Sequence, residues 1–127
     1  MSVNAVVLDS FRKRLAAFMA GKGELTPIAG MAFGDGGHNA DLTAKTPSKE
    51  ATALNHEVLR KPITAIKQVN EFSVTAMGTI ERTELVGIQL SEAALLDQNG
   101  LLIGIKNFAP KVKEGDEKYE VSVELRF

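Results

Sequence analysis

Apolar residues follow a helical period at the start of the chain and a two-residue period through most of the rest. Val7, Phe11, Leu15 and Phe18 recur at i, i+4, i+8 and i+11, which puts them on one helix face with Leu8 and Met19 at its edges. The spacing predicts a helix from Asn4 to Ala20, with Ser2 or Asn4 placed to cap its start and Gly21 or Gly23 to end it in a left-handed turn. After Pro27, Ile28 to Phe33 reads as a short buried strand. Phe72, Val74 and Ala76 alternate with Ser73 and Thr75, and Val86, Ile88 and Leu90 alternate with Leu85, Gly87 and Gln89. The runs Ala93–Leu96 and Leu101–Ile105 flank Asp97-Gln98-Asn99-Gly100, and Asn-Gly between apolar runs is a strong hairpin signal because both residues tolerate positive φ. Tyr119, Val121, Val123, Leu125 and Phe127 share one face of a last strand, reached through a turn at Glu114-Gly115-Asp116.

One N-terminal helix followed by six or seven strands predicts an α+β fold, the helix packed on a mainly antiparallel β-sheet or sandwich. A length of 127 residues suits one domain spanning 1–127. The pattern breaks between Gly34 and Glu50, a long polar loop of the kind that is functional or held by a partner. Gly34, Gly36, Gly37, Asn39, Asp41 and Ser48 offer little apolar area against the entropy of ordering, so fast amide exchange is expected from Asp35 to Lys49. Thr52 to Val58 fits either a helical turn or an extended arm, and Pro62 biases Lys61 toward extended backbone.

Composition narrows the function classes. Hydrophobic residues make up 44% and charged residues 24%, as in a soluble globular protein. A net charge of -1, with no basic stripe, argues against nucleic-acid binding. Six Phe, one Tyr and no Trp supply few stacking platforms for bases or sugars, which disfavours a carbohydrate-binding module. The absence of cysteine removes disulfides and thiolate zinc sites. Neither a signal peptide nor a membrane-spanning apolar run is visible, so no membrane partner is expected.

Catalytic chemistry is poorly supplied. Asp35, His38 and Asp41, with His56 added, hold the donor types of a divalent-metal site and so of a small metal-dependent enzyme. The same residues are what turns use for local hydrogen bonds and positive φ, and turn chemistry is the stronger reading. Gly34-Asp35-Gly36-Gly37 lacks the following helix and Lys-Ser/Thr pair of a phosphate loop. There is no Gly-x-Ser-x-Gly, and His56 and Glu57 point to opposite faces if the segment is extended. No cofactor is expected and the chain is read as a non-enzyme. Asn55-His56-Glu57-Val58-Leu59-Arg60 mixes polar reach with apolar neighbours, as an interface does, with Arg60 suited to bidentate contacts. It is equally an edge strand with a polar outer side.

Three ordered blocks carry a family resemblance. They are Met31-Ala32-Phe33-Gly34-Asp35-Gly36-Gly37, then Leu54 to Arg60 running to Pro62, then Ile88-Gln89-Leu90-Ser91-Glu92-Ala93-Ala94-Leu95-Leu96-Asp97. In this order, with Thr46-Pro47-Ser48 ahead of Glu50, the chain resembles the N-terminal domain of phage tail-collar fibre proteins over nearly its whole length. The resemblance implies a structural part of a phage or phage-derived contractile tail, attaching a fibre to the baseplate by protein–protein contacts. Its implied partners are baseplate and tail-fibre proteins, its implied location is the virion tail after assembly in the host cytoplasm, and a homotrimer through the N-terminal helix stays open. Asp35, His38, Asn55, His56, Glu57 and Arg60 are the expected partner-facing residues. Because the sequence stops at Phe127, without fibre repeats or a receptor-binding tip, an excised attachment domain and a small adaptor are both expected forms.

Overall fold

The computed structural model describes residues 5–127, so the expected cap at Ser2 or Asn4 lies outside the described residues. Along the chain run β1 (Ala5–Val7), α1 (Asp9–Met19), β2 (Ile28–Gly34), β3 (Glu57–Pro62), β4 (Ala65–Asn70), β5 (Ser73–Ile80), β6 (Gln89–Asp97), β7 (Leu102–Val112) and β8 (Tyr119–Arg126). They form a five-stranded sheet, β1-β7-β6-β2-β3, and a three-stranded sheet, β4-β5-β8, with every pairing antiparallel.

Side-chain alternation builds two cores from the larger sheet. Met31 and Phe33 of β2, Ala93 and Leu95 of β6 and Ile103 of β7 face the smaller sheet, where Ala76, Ile80, Val121, Val123 and Leu125 meet them. The opposite face carries Ala32, Ala94, Leu96, Leu102 and Ile105, covered by Leu8 and by Leu54 from the arm that follows the long loop. Strand β6 is therefore buried on both sides, which is why its central stretch, Ala93 to Leu96, is a continuous apolar run.

This β-rich arrangement corrects the α+β expectation. The one helix among the described residues has eleven residues and none is buried. Leu15, Phe18 and Met19 are 39%, 46% and 74% exposed, so the stripe expected to lie on the sheet largely faces solvent. A second sheet takes the place assigned to the helix. The helical period had also absorbed residues that do not belong to it: Val7 ends β1, opposite Gly104, and Leu8 follows in extended backbone. Consecutive extended residues point to opposite sides, so Val7 enters one core and Leu8 the other. The C-terminal end is as expected. Gly21, at φ 81°, donates to Phe18 O, and Lys22 donates to Ala17 O at 2.8 Å, the paired bonds of a Schellman motif.

The Asn-Gly hairpin joins β6 to β7. Gly100 alone of its loop residues is left-handed, and Gly100 N donates to Asp97 O, which makes a turn followed by a bulge. Asp97 Oδ1 accepts from Asn99 N and Leu101 N and fixes the loop. The alternation read from Leu85 to Leu90 is corrected: Leu85 and Gly87 have positive φ, and the strand begins only at Gln89. The final strand alternates as expected, with Val121, Val123 and Leu125 buried between exposed neighbours.

Candidate functional site

The long loop and the arm after it are organised by a side chain that the sequence hides inside an apolar strand. Glu92 of β6 is 1% exposed. Its Oε2 accepts from Gly36 N at 3.0 Å and His56 N at 2.8 Å, and its Oε1 accepts from Asn55 N at 2.9 Å. A carboxylate only accepts, so three main-chain donors satisfy it where water is excluded. Beside it, buried Ser91 Oγ accepts from Gly37 N at 2.8 Å and lies 2.8 Å from His38 Nδ1. The glycines give the chain room to approach: a Cβ on Gly34 would sit 2.4 Å from His56 O, and one on Gly37 would sit 2.3 Å from Ser91 O.

This anchoring changes the expectation for the loop. Besides Gly36 and Gly37, Asp35 N donates to His56 O and Lys45 N to Gly37 O, while Asn107 Nδ2 reaches Lys45 O. Lys49 O accepts from Asp9 N at the start of α1, and Leu54 is buried. The segment from Asp35 to Lys49 is thus tied to its own sheet at several points rather than left for a partner to order.

The residues expected to face a partner fall into separate groups. Asp35 and His56 form one pair, Oδ1 to Nδ1 at 2.5 Å, with the imidazole 70% exposed. Glu57 and Arg60 form another on β3, a two-bond fork at 2.9 and 3.0 Å, and Arg60 Nη1 donates to Gly100 O. The hydrogen bonds that Arg60 donates to Glu57 raise the guanidinium pKa above its ordinary value. Asn55 Nδ2 donates to Gly36 O. His38 turns inward to Ser91, away from Asp35, and Asp41 accepts from Thr43 within its own turn, which lowers the Asp41 carboxyl. The metal grouping of Asp35, His38 and Asp41 is therefore not assembled, and no cluster of three or more such ligands occurs among the described residues.

The family described as phage tail-collar fibre protein, N-terminal, matches residues 1–123. The chain belongs to that family. It is a structural component of a phage tail, and its family role implies contact with other tail proteins. Comparison with curated proteins and with solved structures gives no match. In this tail-collar fibre domain the three blocks that carry the resemblance meet at one place: Gly34–Gly37 and Asn55-His56 converge on Ser91-Glu92. Glu92 stands in the third of these blocks, where the local pattern assigns it no role. The available signal was an acid beside a serine within an otherwise apolar run, since a buried charge needs partners.

No helix among the described residues is long and apolar enough to cross a membrane.

Proposed function

We propose that this domain attaches a tail fibre to the baseplate through the surface formed by Asp35, Asn55, His56, Glu57 and Arg60. One observation carries the reading. Buried Glu92 holds the main chain under Gly36, Asn55 and His56, while the side chains of Asn55, His56, Glu57 and Arg60 remain exposed along the free edge of the larger sheet. A pre-ordered polar surface loses little conformational entropy on docking, which favours affinity and fixed orientation. Opposite charges held in a fork also supply orientation-dependent contacts to a partner. His38 contributes by bracing the loop against Ser91 rather than by contact.

Purified fibreless tails mixed with the chain test this reading. Saturable association that Arg60→Glu weakens, with folding intact, supports it; association indifferent to changes along this edge points to another surface. The exposed Leu15, Phe18 and Met19 of α1 support a second element, self-association as a homotrimer through the helix. Sedimentation equilibrium of the full chain, with and without Phe18→Ser, tests that separately: a trimer that the substitution dissolves is expected, and a monomer at all concentrations removes the idea.

A further inference from the structure

Two residues other than glycine have a left-handed backbone among the described residues, Leu42 at φ 68° and Leu85 at φ 53°. A bulky side chain in that region crowds its own main chain, and Gly, Asn or Asp adopts the conformation more easily. Each leucine therefore needs a contact that offsets the strain. Leu85 has one within the domain, where it packs against the core between the two sheets. Leu42 has none: it is 55% exposed and packs on neither core. Strained backbone that no packing of the chain itself explains points to a function outside the chain.

The conformation of Leu42 is built in by its neighbours. Residues 39–43 form the tip of a small hairpin, in which Asn39 N donates to Thr43 O at 2.8 Å and Leu42 N to Asn39 O at 2.9 Å, above a bridge between His38 and Ala44. Asn39 Nδ2 donates to Thr43 Oγ1, and Thr43 N and Oγ1 both donate to Asp41 Oδ1. The foot of the hairpin is fixed to the larger sheet, since Gly37 N donates to Ser91 Oγ and Asn107 Nδ2 to Lys45 O. An aliphatic side chain on a pre-ordered tip loses little conformational freedom on docking. Burying its exposed half is worth about tenfold in affinity. The flank narrows the partner further: Asp41 is exposed beside Leu42, so a complementary surface is apolar at its centre and positive at its rim. A protein pocket meets both conditions, whereas a nucleic acid or an anionic lipid surface repels the carboxylate.

We propose that Leu42 is an apolar anchor that seats in an aliphatic, positively rimmed pocket of a neighbouring tail protein. The proposal rests on the attachment reading for its partner and adds a contact outside the edge formed by Asn55 to Arg60.

Equilibrium binding of the full chain to purified fibreless tails tests it. Leu42→Asn is set against Ile66→Asn, which removes an aliphatic side chain of similar exposure, 51%, from β4. Leu42→Asn should weaken binding about tenfold, while its melting temperature holds or rises because asparagine suits the left-handed backbone. A residue with a merely structural role would lose stability as well. Ile66→Asn should bind like the native chain, and Asp41→Asn, which can keep an oxygen toward Thr43, should bind severalfold more weakly. The anchor is overturned if Leu42→Asn binds tails as tightly as the native chain, if it melts at a lower temperature, or if Ile66→Asn weakens binding equally. Unchanged affinity of Asp41→Asn overturns the positive rim. An oligomer of the native chain that Leu42→Asn dissolves in sedimentation equilibrium also overturns the proposal, because the pocket then lies on a second copy. If Leu42→Asn leaves binding unchanged while Arg60→Glu weakens it, the anchor falls and the attachment reading stands; if the native chain fails to bind tails, both fall.

Discussion

Glu92→Gln changes one oxygen to an amide and leaves size and shape in place, so it isolates what the carboxylate does. The glutamine oxygen can face Gly36 N and His56 N, but its NH2 then faces Asn55 N, donor against donor. Leaving one buried N–H unpaired costs about 1–3 kcal/mol, and converting two charge-assisted bonds to neutral ones costs about 1 kcal/mol each. The sum is roughly 3–5 kcal/mol, and burial at 1% exposure leaves little solvent screening to reduce it. For a chain of this size the melting temperature should fall by on the order of 10–20 °C. Urea unfolding of both proteins, fitted with a common m-value, measures the difference, and amide exchange at Gly36, Asn55 and His56 should accelerate most. A loss below about 1 kcal/mol, or acceleration spread evenly over the sheet, refutes the claim that Glu92 holds loop and arm together.

Gly37→Ala should destabilise by about 1–3 kcal/mol, because the new methyl meets main chain at Ser91, whereas Gly115→Ala meets Val86 at an ordinary 3.5 Å and should be near neutral in the same denaturant assay. The Glu84 carboxyl is lowered by its hydrogen bond from Lys61 and then by one from Glu81 N, so its contribution is complete above the ordinary glutamate range, about 4.3, and is lost as pH falls through the lower folded value. The melting-temperature advantage of the native chain over Glu84→Gln should therefore shrink on acidification, and a gap constant with pH contradicts the assignment. In the free chain, amide exchange should be slow at Gly37 and Lys45 and fast at Ala40 and Lys49; uniform fast exchange from Asp35 to Lys49 would restore the mobile-loop expectation.

What the sequence revealed depended on whether local pattern and tertiary position agreed. The hairpin at Asn99-Gly100 and the alternation from Tyr119 to Leu125 were legible because turn chemistry and a half-buried sheet leave local marks. Strand β4 is exposed at every position, so no burial pattern existed to give its bounds. Val7 and Leu8 continued a helical period by coincidence of spacing, and only the two cores on either side of the sheet separate them from α1. The loop misled for a related reason. Its composition is that of a mobile segment, but the groups that hold it, Glu92, Ser91 and Asn107, lie far along the chain. Of the residues expected to face a partner, Asp35 pairs with His56 and Glu57 with Arg60, while His38 turns toward Ser91; the Asp35–His56 and His38–Ser91 contacts join residues far apart along the chain and so leave no local mark.

The attachment surface is tested most directly by equilibrium binding of the chain to purified fibreless tails, comparing the native sequence with Arg60→Glu and with the swapped pair Glu57→Arg/Arg60→Glu. Exposed pairs of this kind contribute at most about 1 kcal/mol to folding, so the variants should stay folded. Binding at least about tenfold weaker is expected for both, including the swapped pair that retains its own ion pair but reverses the charges shown to the partner. Binding by both variants as tight as that of the native chain would contradict it.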